Sequence, residues 1–283
     1  MNYLIVADSS ADLALRDKIN HGIAFASVPL KIITSVKEYV DNKDLDVEKM
    51  VEELETYKGR SSSSCPNPSD WLDAFGEAKQ IFCVTITSGL SGSYNSACRA
   101  KEEYEETYPD RKVFVIDSLS TGPEMHLIIE KLEQYILDDM DFDTICEKIQ
   151  RYQKHTGLLF MLESMKNLAN NGRVSPIAAK LAGILGIRVI GKASDEGTLE
   201  QLEKARGEGK ALTSIIEQMK KLGYAGGKVI IAHCINSGAA HKLKEQLKVQ
   251  FKDAKIDIHP CRALCSFYAE RGGLLVGFEK QLA

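Results

Sequence analysis

The sequence predicts an α/β protein of two α/β domains, the N-terminal one with a mostly parallel sheet flanked by helices. Three observations carry this. Short apolar runs alternate with amphipathic stretches at helical spacing throughout the chain. Glycine- and hydroxyl-rich turns follow directly on the apolar runs, as at strand-to-helix junctions. The 283 residues exceed what one small core usually organises.

In chain order, YLIVAD (3–8), ASVPLKII (26–33), QIFCVTI (80–86) and KVFVID (112–117) read as strands, being short and apolar. DVEKMVEELE, PSDWLDAFGEA, SYNSACRAKEEYEETY and GPEMHLIIEKLEQYIL read as the helices between and after them. Phe142, Ile145, Ile149 and Tyr152 give another helix by their spacing of three and four. A soft boundary follows, dividing 1–156 from 157–283. Beyond it GLLFML is an apolar run, PIAAKLAGILG a helix, IRVIGKA a strand, LTSIIEQMKKLG a helix and KVIIAHC a strand. AAHKLKEQLKVQF is then a helix, and KIDIH and GLLVGFE are strands. EKARGEGKA mixes charges and reads as a solvated strip. Ser61 to Ser64 read as a loop.

Hydrophobic residues make up 44% and charged residues 27% of the chain, as in ordinary globular proteins. The net charge of −4 argues against a general grip on nucleic acid, which needs a basic surface. No apolar run is long enough for a membrane span, and MNYLIVADSS lacks the pattern of a signal peptide. Seven cysteines, an odd number without a CxxC pair, fit reduced thiols rather than a disulfide framework. The expectation is a cytoplasmic protein.

TSGLSGSYNSA (87–97) directly follows the strand QIFCVTI. Such a junction leaves backbone N–H groups at the positive end of a helix, where an anion is stabilised. Ser88, Ser91 and Ser93 add hydroxyl donors, and Gly89 and Gly92 allow close approach. The run is neither a dinucleotide fingerprint nor a phosphate loop with its lysine, nor a nucleophile elbow. Serines that merely cap a helix fit the same residues. RSSSSCPNPSDW (60–71) repeats the chemistry ahead of the next helix. Two such loops can meet outside the carboxyl ends of a parallel sheet.

SSSCPNPSDW, VTITSGLSGSYNSA, VIDSLSTGPEMHLII, LESMKNLANNGRVSPIAAKLAGILGIRVIG, DEGTLEQLEKARGEGKAL and GGLLVGFE, in this order, resemble the DegV family of bacterial fatty-acid-binding proteins over essentially the whole chain. The resemblance implies two domains with the ligand between them, a long-chain fatty acid such as palmitate with its carboxylate at hydroxyls and its acyl chain in an apolar tunnel. It also implies a separate fatty-acid kinase as partner, which phosphorylates the carboxylate for phospholipid synthesis, so that the protein is a carrier and not an enzyme. Neither cofactor nor metal is implied. Ser63, Ser91 and Gly92 fall at the family's carboxylate-binding positions. Arg173, in NGRVS, and Arg206, in KARG, fall at candidate contacts to a phosphate or the partner. Where the family pattern carries a histidine, this chain has Tyr268, a donor that is uncharged near neutral pH.

From the residues alone, a hydrolase or phosphotransferase acting by itself on a small carboxylate at these loops is the rival. A serine without a positioned base is a weak nucleophile, which disfavours it. Asp8 and Asp117 each end a strand and precede a serine, which suits orientation of loops better than chemistry. His233 and His259 end strands and read as core or turn residues. Cys65 and Cys265 lie near the motifs without a histidine partnership that would mark a nucleophile. PIAAKLAGILGI has the small and branched residues that a narrow acyl tunnel or a packed core would use.

Overall fold

A computed structural model of the chain describes residues 3–13, 23–177 and 186–281. The predicted helix PIAAKLAGILG lies almost wholly outside the described residues. The first strands are β1 (Tyr3–Asp8) and β2 (Ala24–Val28), followed by the short β3 (Lys31–Ile33), β4 (Glu38–Val40) and β5 (Ser62–Ser64). Then come β6 (Gln80–Thr85) and β7 (Lys112–Asp117). β1, β2, β6 and β7 pair in parallel in the order β2-β1-β6-β7. Helices α1 (Val47–Thr56), α2 (Pro68–Phe75), α3 (Ser93–Thr107), α4 (Gly122–Leu137) and α5 (Phe142–Gln153) connect or follow them.

The helix starts follow from the sequence. Asp46 accepts the Lys49 N–H at the start of α1, and Asn67 and Asp70 close a capping box around Pro68 at α2. Trp71, Phe75, Ala97 and Tyr104 of α2 and α3 cover one face of the parallel sheet. Met125, Ile128, Leu132, Phe142 and Ile145 of α4 and α5 cover the other.

The second sheet has six strands in the order β10-β9-β8-β13-β11-β12. They are β8 (Thr156–Leu162), β9 (Ile187–Ala193), β10 (Leu199–Arg206), β11 (Lys228–His233), β12 (Lys255–Pro260) and β13 (Leu274–Glu279). Only β11 and β12 pair in parallel; the other neighbours are antiparallel. The short α6 (Lys166–Asn170) follows β8, while α7 (Glu208–Lys221) and α8 (Ser237–Gln250) pack on one face of this sheet, burying Leu212, Ile215, Leu243 and Leu247 against Ile190, Val229, Ile231 and Val276. The opposite face meets α1, β3 and the seven-residue α9 (Ala263–Ala269). α4 lies between the two sheets: the Pro123–Glu124 backbone sits so close to Gly277 of β13 that a Cβ there would be 2.6 Å from the Pro123 carbonyl carbon.

Three expectations change. ASVPLKII is two strands in two sheets. Pro29 offers no N–H for a continuous ladder, and Leu30 instead donates its N–H to Ser9 Oγ at 3.0 Å. Ser62–Ser64 is no loop but the strand β5, paired with β3 in a small antiparallel sheet of order β4-β3-β5. Cross-strand pairing there overrides serine's weak strand preference. EKARGEGKA is the end of β10 and the start of α7. Glu203, Lys204 and Arg206 are exposed, as a solvated strip would be, and lie on an edge strand, where their charges discourage pairing with another chain.

Candidate functional site

Between the sheets lies a cavity of about 300 Å³ whose wall draws on both. Its depth is apolar and buried, with Leu158, Phe160 and Leu162 from β8, Leu275 from β13, Leu264 from α9 and Leu168 from α6. Its mouth is polar and half-exposed, with Ser63 and Ser64 from β5, Ser91 and Gly92 ahead of α3, Arg173, and Tyr268 from α9.

These mouth residues are tied to one another. Ser63 Oγ and the Tyr268 hydroxyl share a 2.7 Å hydrogen bond between residues 205 positions apart. The Arg173 guanidinium carbon is 5.8 Å from the centre of the Tyr268 ring. Arg173 Nε donates to Leu90 O at 3.2 Å, and Nη1 donates to Asn171 O at 2.6 Å. Gly92 is the N-cap of α3 and has no side chain to cap it; a Cβ there would stand 3.2 Å from Cys65 Sγ. Ser91 Oγ accepts the Ser93 N–H at 3.3 Å. Burial raises the Tyr268 phenol above its ordinary value, against the Ser63 hydrogen bond and the Arg173 charge, which lower it. It is a neutral donor or acceptor throughout the neutral range.

Asp8 and Asp117 orient the loop that carries Ser91. Asp8 is fully buried; its carboxyl accepts from Ile86 N at 2.8 Å, from Ser93 Oγ at 2.6 Å and from both the amide and hydroxyl of Ser10. Burial raises its pKa in spite of these hydrogen bonds. Asp117 Oδ1 accepts from Ser88 N and Leu119 N, each at 3.1 Å.

Gly89 has a different task from the expected approach to an anion. A Cβ there would stand 3.0 Å from Glu196 O and 3.1 Å from Gly197 O, so the missing side chain admits the β9–β10 turn. That turn is fastened by Thr87 Oγ1, which donates to Gly197 O at 2.8 Å. Gly197 has φ +73°, and a Cβ on it would collide with Thr87 Oγ1. Thr198 and Leu199 next to it line the cavity. Sequence reasoning missed this wall, although Gly197 in DEGT is a turn signal. It also missed Thr121, which stands just ahead of α4, and Leu264, because the short α9 has too few turns to show a period.

Arg206 stands apart. It is exposed at the end of β10 opposite Ile187 and does not line the cavity. Cys65 is exposed at the mouth and Cys265 is buried in the wall, with its thiol raised well above the usual range by burial. His233 ends β11 half-buried, its imidazole pKa lowered by burial. Among the described residues, no three His, Cys, Asp or Glu side chains gather as a metal ion would need. No helix among them is long and apolar enough to cross a membrane.

The DegV family profile, described as "Uncharacterised protein, DegV family", matches residues 2–281. The chain belongs to the DegV family. A DegV domain-containing protein of Streptococcus pneumoniae is 44% identical over 279 residues, covering 99% of each chain. The Fatty Acid Kinase (Fak) B3 protein of Streptococcus pneumoniae, solved loaded with linoleic acid, superposes with a TM-score of 0.97 at 44% identity, over 99% of this chain and 100% of its own. A DegV family protein of Eubacterium eligens, solved loaded with heptadecanoic acid, superposes with a TM-score of 0.95 at 43% identity, with the same coverage. The α/β architecture expected from the sequence, with a parallel sheet flanked by helices, is therefore a DegV fold.

Gly197→Ala is expected to lower the free energy of unfolding by roughly 1–3 kcal/mol, from the unfavourable φ and the collision with Thr87. It should also speed amide exchange in residues 87–92. A denaturant midpoint and an exchange pattern unchanged from the parent would show that the turn does not brace the loop.

Proposed function

We propose that this protein binds one long-chain fatty acid, of the palmitate class, and presents its carboxylate to a separate kinase for acyl-phosphate formation. The observation that carries the reading is the division of the cavity. A buried, leucine-rich depth suits an acyl chain, and a mouth of hydroxyls beside one guanidinium suits a carboxylate. Each buried methylene contributes about 0.8 kcal/mol, so the chain supplies most of the affinity and the mouth fixes which end faces out. The fatty acids carried by the Streptococcus pneumoniae and Eubacterium eligens proteins, at 43–44% identity over whole chains, support the same ligand class.

In this reading Ser63, Ser91 and the Gly92 amide donate to the carboxylate, since charge-assisted hydrogen bonds of this kind are the strong ones. The Tyr268 hydroxyl donates a hydrogen bond to the ligand or to Ser63 Oγ. The head group is thereby shared between the 1–156 and 157–283 units. Arg173, held beside Tyr268, is placed to compensate charge when the carboxylate becomes an acyl phosphate. Arg206, exposed and away from the cavity, is available to the kinase. The protein acts as a carrier and needs no cofactor, since hydroxyl donors and an apolar cavity suffice for binding. All seven cysteines are free thiols, which supports a reducing, cytoplasmic setting.

Native mass spectrometry of the purified protein, with organic extraction of the ligand, tests the binding. A long-chain fatty acid at one per chain is expected, and only small polar metabolites would sink the reading. Ser63→Ala combined with Ser91→Ala should raise the dissociation constant for the fatty acid about tenfold or more, on the basis of roughly 1–3 kcal/mol for a lost hydrogen bond to a charged group, with the circular dichroism unchanged. An unchanged dissociation constant in the double variant would remove these serines from the site.

Tyr268→His makes a pH test. The parent, whose phenol stays neutral, should hold the fatty acid equally well from about pH 6 to 8. The variant should hold it more tightly as pH falls through about 6.5, where a histidine gains charge beside the carboxylate. Parallel pH profiles for the two proteins would place Tyr268 out of reach of the head group.

A further inference from the structure

The Ser63–Tyr268 hydrogen bond joins β5 to α9, and a second connection joins the same two bodies. Asp41 directly follows β4, in the small sheet that also contains β5, and its N–H donates to Leu30 O at 2.9 Å. Its side chain is fully buried. Oδ1 accepts the Ala263 N–H at 3.1 Å and Oδ2 accepts the Leu264 N–H at 3.0 Å, the first two amides of α9. The Arg262 N–H goes to Asp12 Oδ1 at 2.7 Å, and Arg262 Nε lies 3.8 Å from Asp41 Oδ1. Arg262 also donates to Asn42 O.

The contacts form a closed circuit. One sheet carries Ser63 and Asp41; one helix carries the amides that Asp41 grips and, on its second turn, Tyr268. α9 has seven residues, too few to hold a position by its own helical stability. Its placement is fixed by what grips its ends. We propose that Asp41 is a positioning residue for the head-group site: by holding two α9 amides against the sheet that bears Ser63, it sets the reach of the Tyr268 hydroxyl to Ser63 and to a bound carboxylate. The reach to a bound carboxylate rests on the reading of the mouth as the carboxylate site; the positioning of Tyr268 itself does not.

Asp41→Asn tests this with little change of shape. Asparagine keeps one acceptor oxygen and turns the other position into a donor facing an N–H. The dissociation of a bound fatty acid should become about tenfold faster, as expected for roughly 1.4 kcal/mol. The discriminating comparison is with Tyr268→Phe and the double variant. If Asp41 acts through Tyr268, the double variant releases ligand no faster than the faster single variant. Multiplied effects, or release from Asp41→Asn at the parental rate, would overturn the proposal.

A spectroscopic reading needs no ligand. The difference between the ultraviolet phenolate titrations of a protein and its Tyr268→Phe counterpart isolates this ring. In Asp41→Asn it should shift down towards the ordinary tyrosine value as the ring loses its buried seat; an unshifted titration counts against the proposal. Should Asp41→Asn not fold, Asp41→Ser keeps an acceptor for one amide and carries the same comparisons. Amide exchange in the unaltered protein adds a reading without any variant: protection of Ala263 and Leu264 is expected, and free exchange there overturns the proposal. A parent without fatty acid would overturn the head-group reading alone, leaving the titration and exchange to decide the role of Asp41.

Discussion

The 2.7 Å hydrogen bond between Ser63 Oγ and the Tyr268 hydroxyl is the contact on which the cavity mouth depends. It ties an edge of the small three-stranded sheet to a helix of two turns, and both elements are too short to hold their places alone. β5 has three residues and α9 has seven. Each is fastened elsewhere, β5 by pairing with β3 and α9 by the carboxyls of Asp12 and Asp41. Between them they fix where two hydroxyl groups meet, and the meeting point faces an apolar cavity.

Among the described residues, the mouth of the cavity carries little charge. Hydroxyls and a helix N-terminus supply donors there, while Arg173 is the one guanidinium among the described residues that line the cavity, itself occupied with the carbonyls of Leu90 and Asn171. A carboxylate held by neutral donors loses less of its own negative charge than one buried in an ion pair, and the pair would also carry a larger desolvation cost. Carboxylates elsewhere do the architectural work. Asp8, Asp12 and Asp41 lie buried around the first strand and α9, and burial raises the pKa of all three, that of Asp12 to about 8. They face backbone amides and hydroxyls rather than the cavity mouth, so the acids organise the loops and the hydroxyls of Ser63, Ser91 and Tyr268 stay at the mouth.

Much of this was legible in the chain because it is local. The strand-loop-helix run around TSGLSG announces itself through an apolar strand, glycines and hydroxyls, and α4 occupies the span that its apolar spacing predicts. The motifs with Ser63, Ser91, Gly92, Arg173 and Tyr268 converge on one cavity, where Arg206 does not join them. What stayed hidden is what depends on distant partners. Serine is a poor strand former, so β5 exists only because β3 lies beside it. Gly89 looks like a residue for an approaching anion, and it is the β9–β10 turn that comes close. The mixed, mostly antiparallel pairing of the second sheet cannot be read from strands that alternate with helices, since the order of β8, β13 and β11 is set by long returns of the chain. Asp41 gave no motif at all, because its partners lie more than 220 positions away.

The most direct measurement is a crystal structure of the protein purified with its ligand. The account predicts continuous density for an acyl chain between the two sheets, along Leu158, Phe160, Leu264 and Leu275, ending in a carboxylate within about 3.2 Å of Ser91 and Ser63. Density for a small polar molecule at the mouth with the depth filled by side chains, or an acyl chain whose carboxylate points away from these serines, would contradict it.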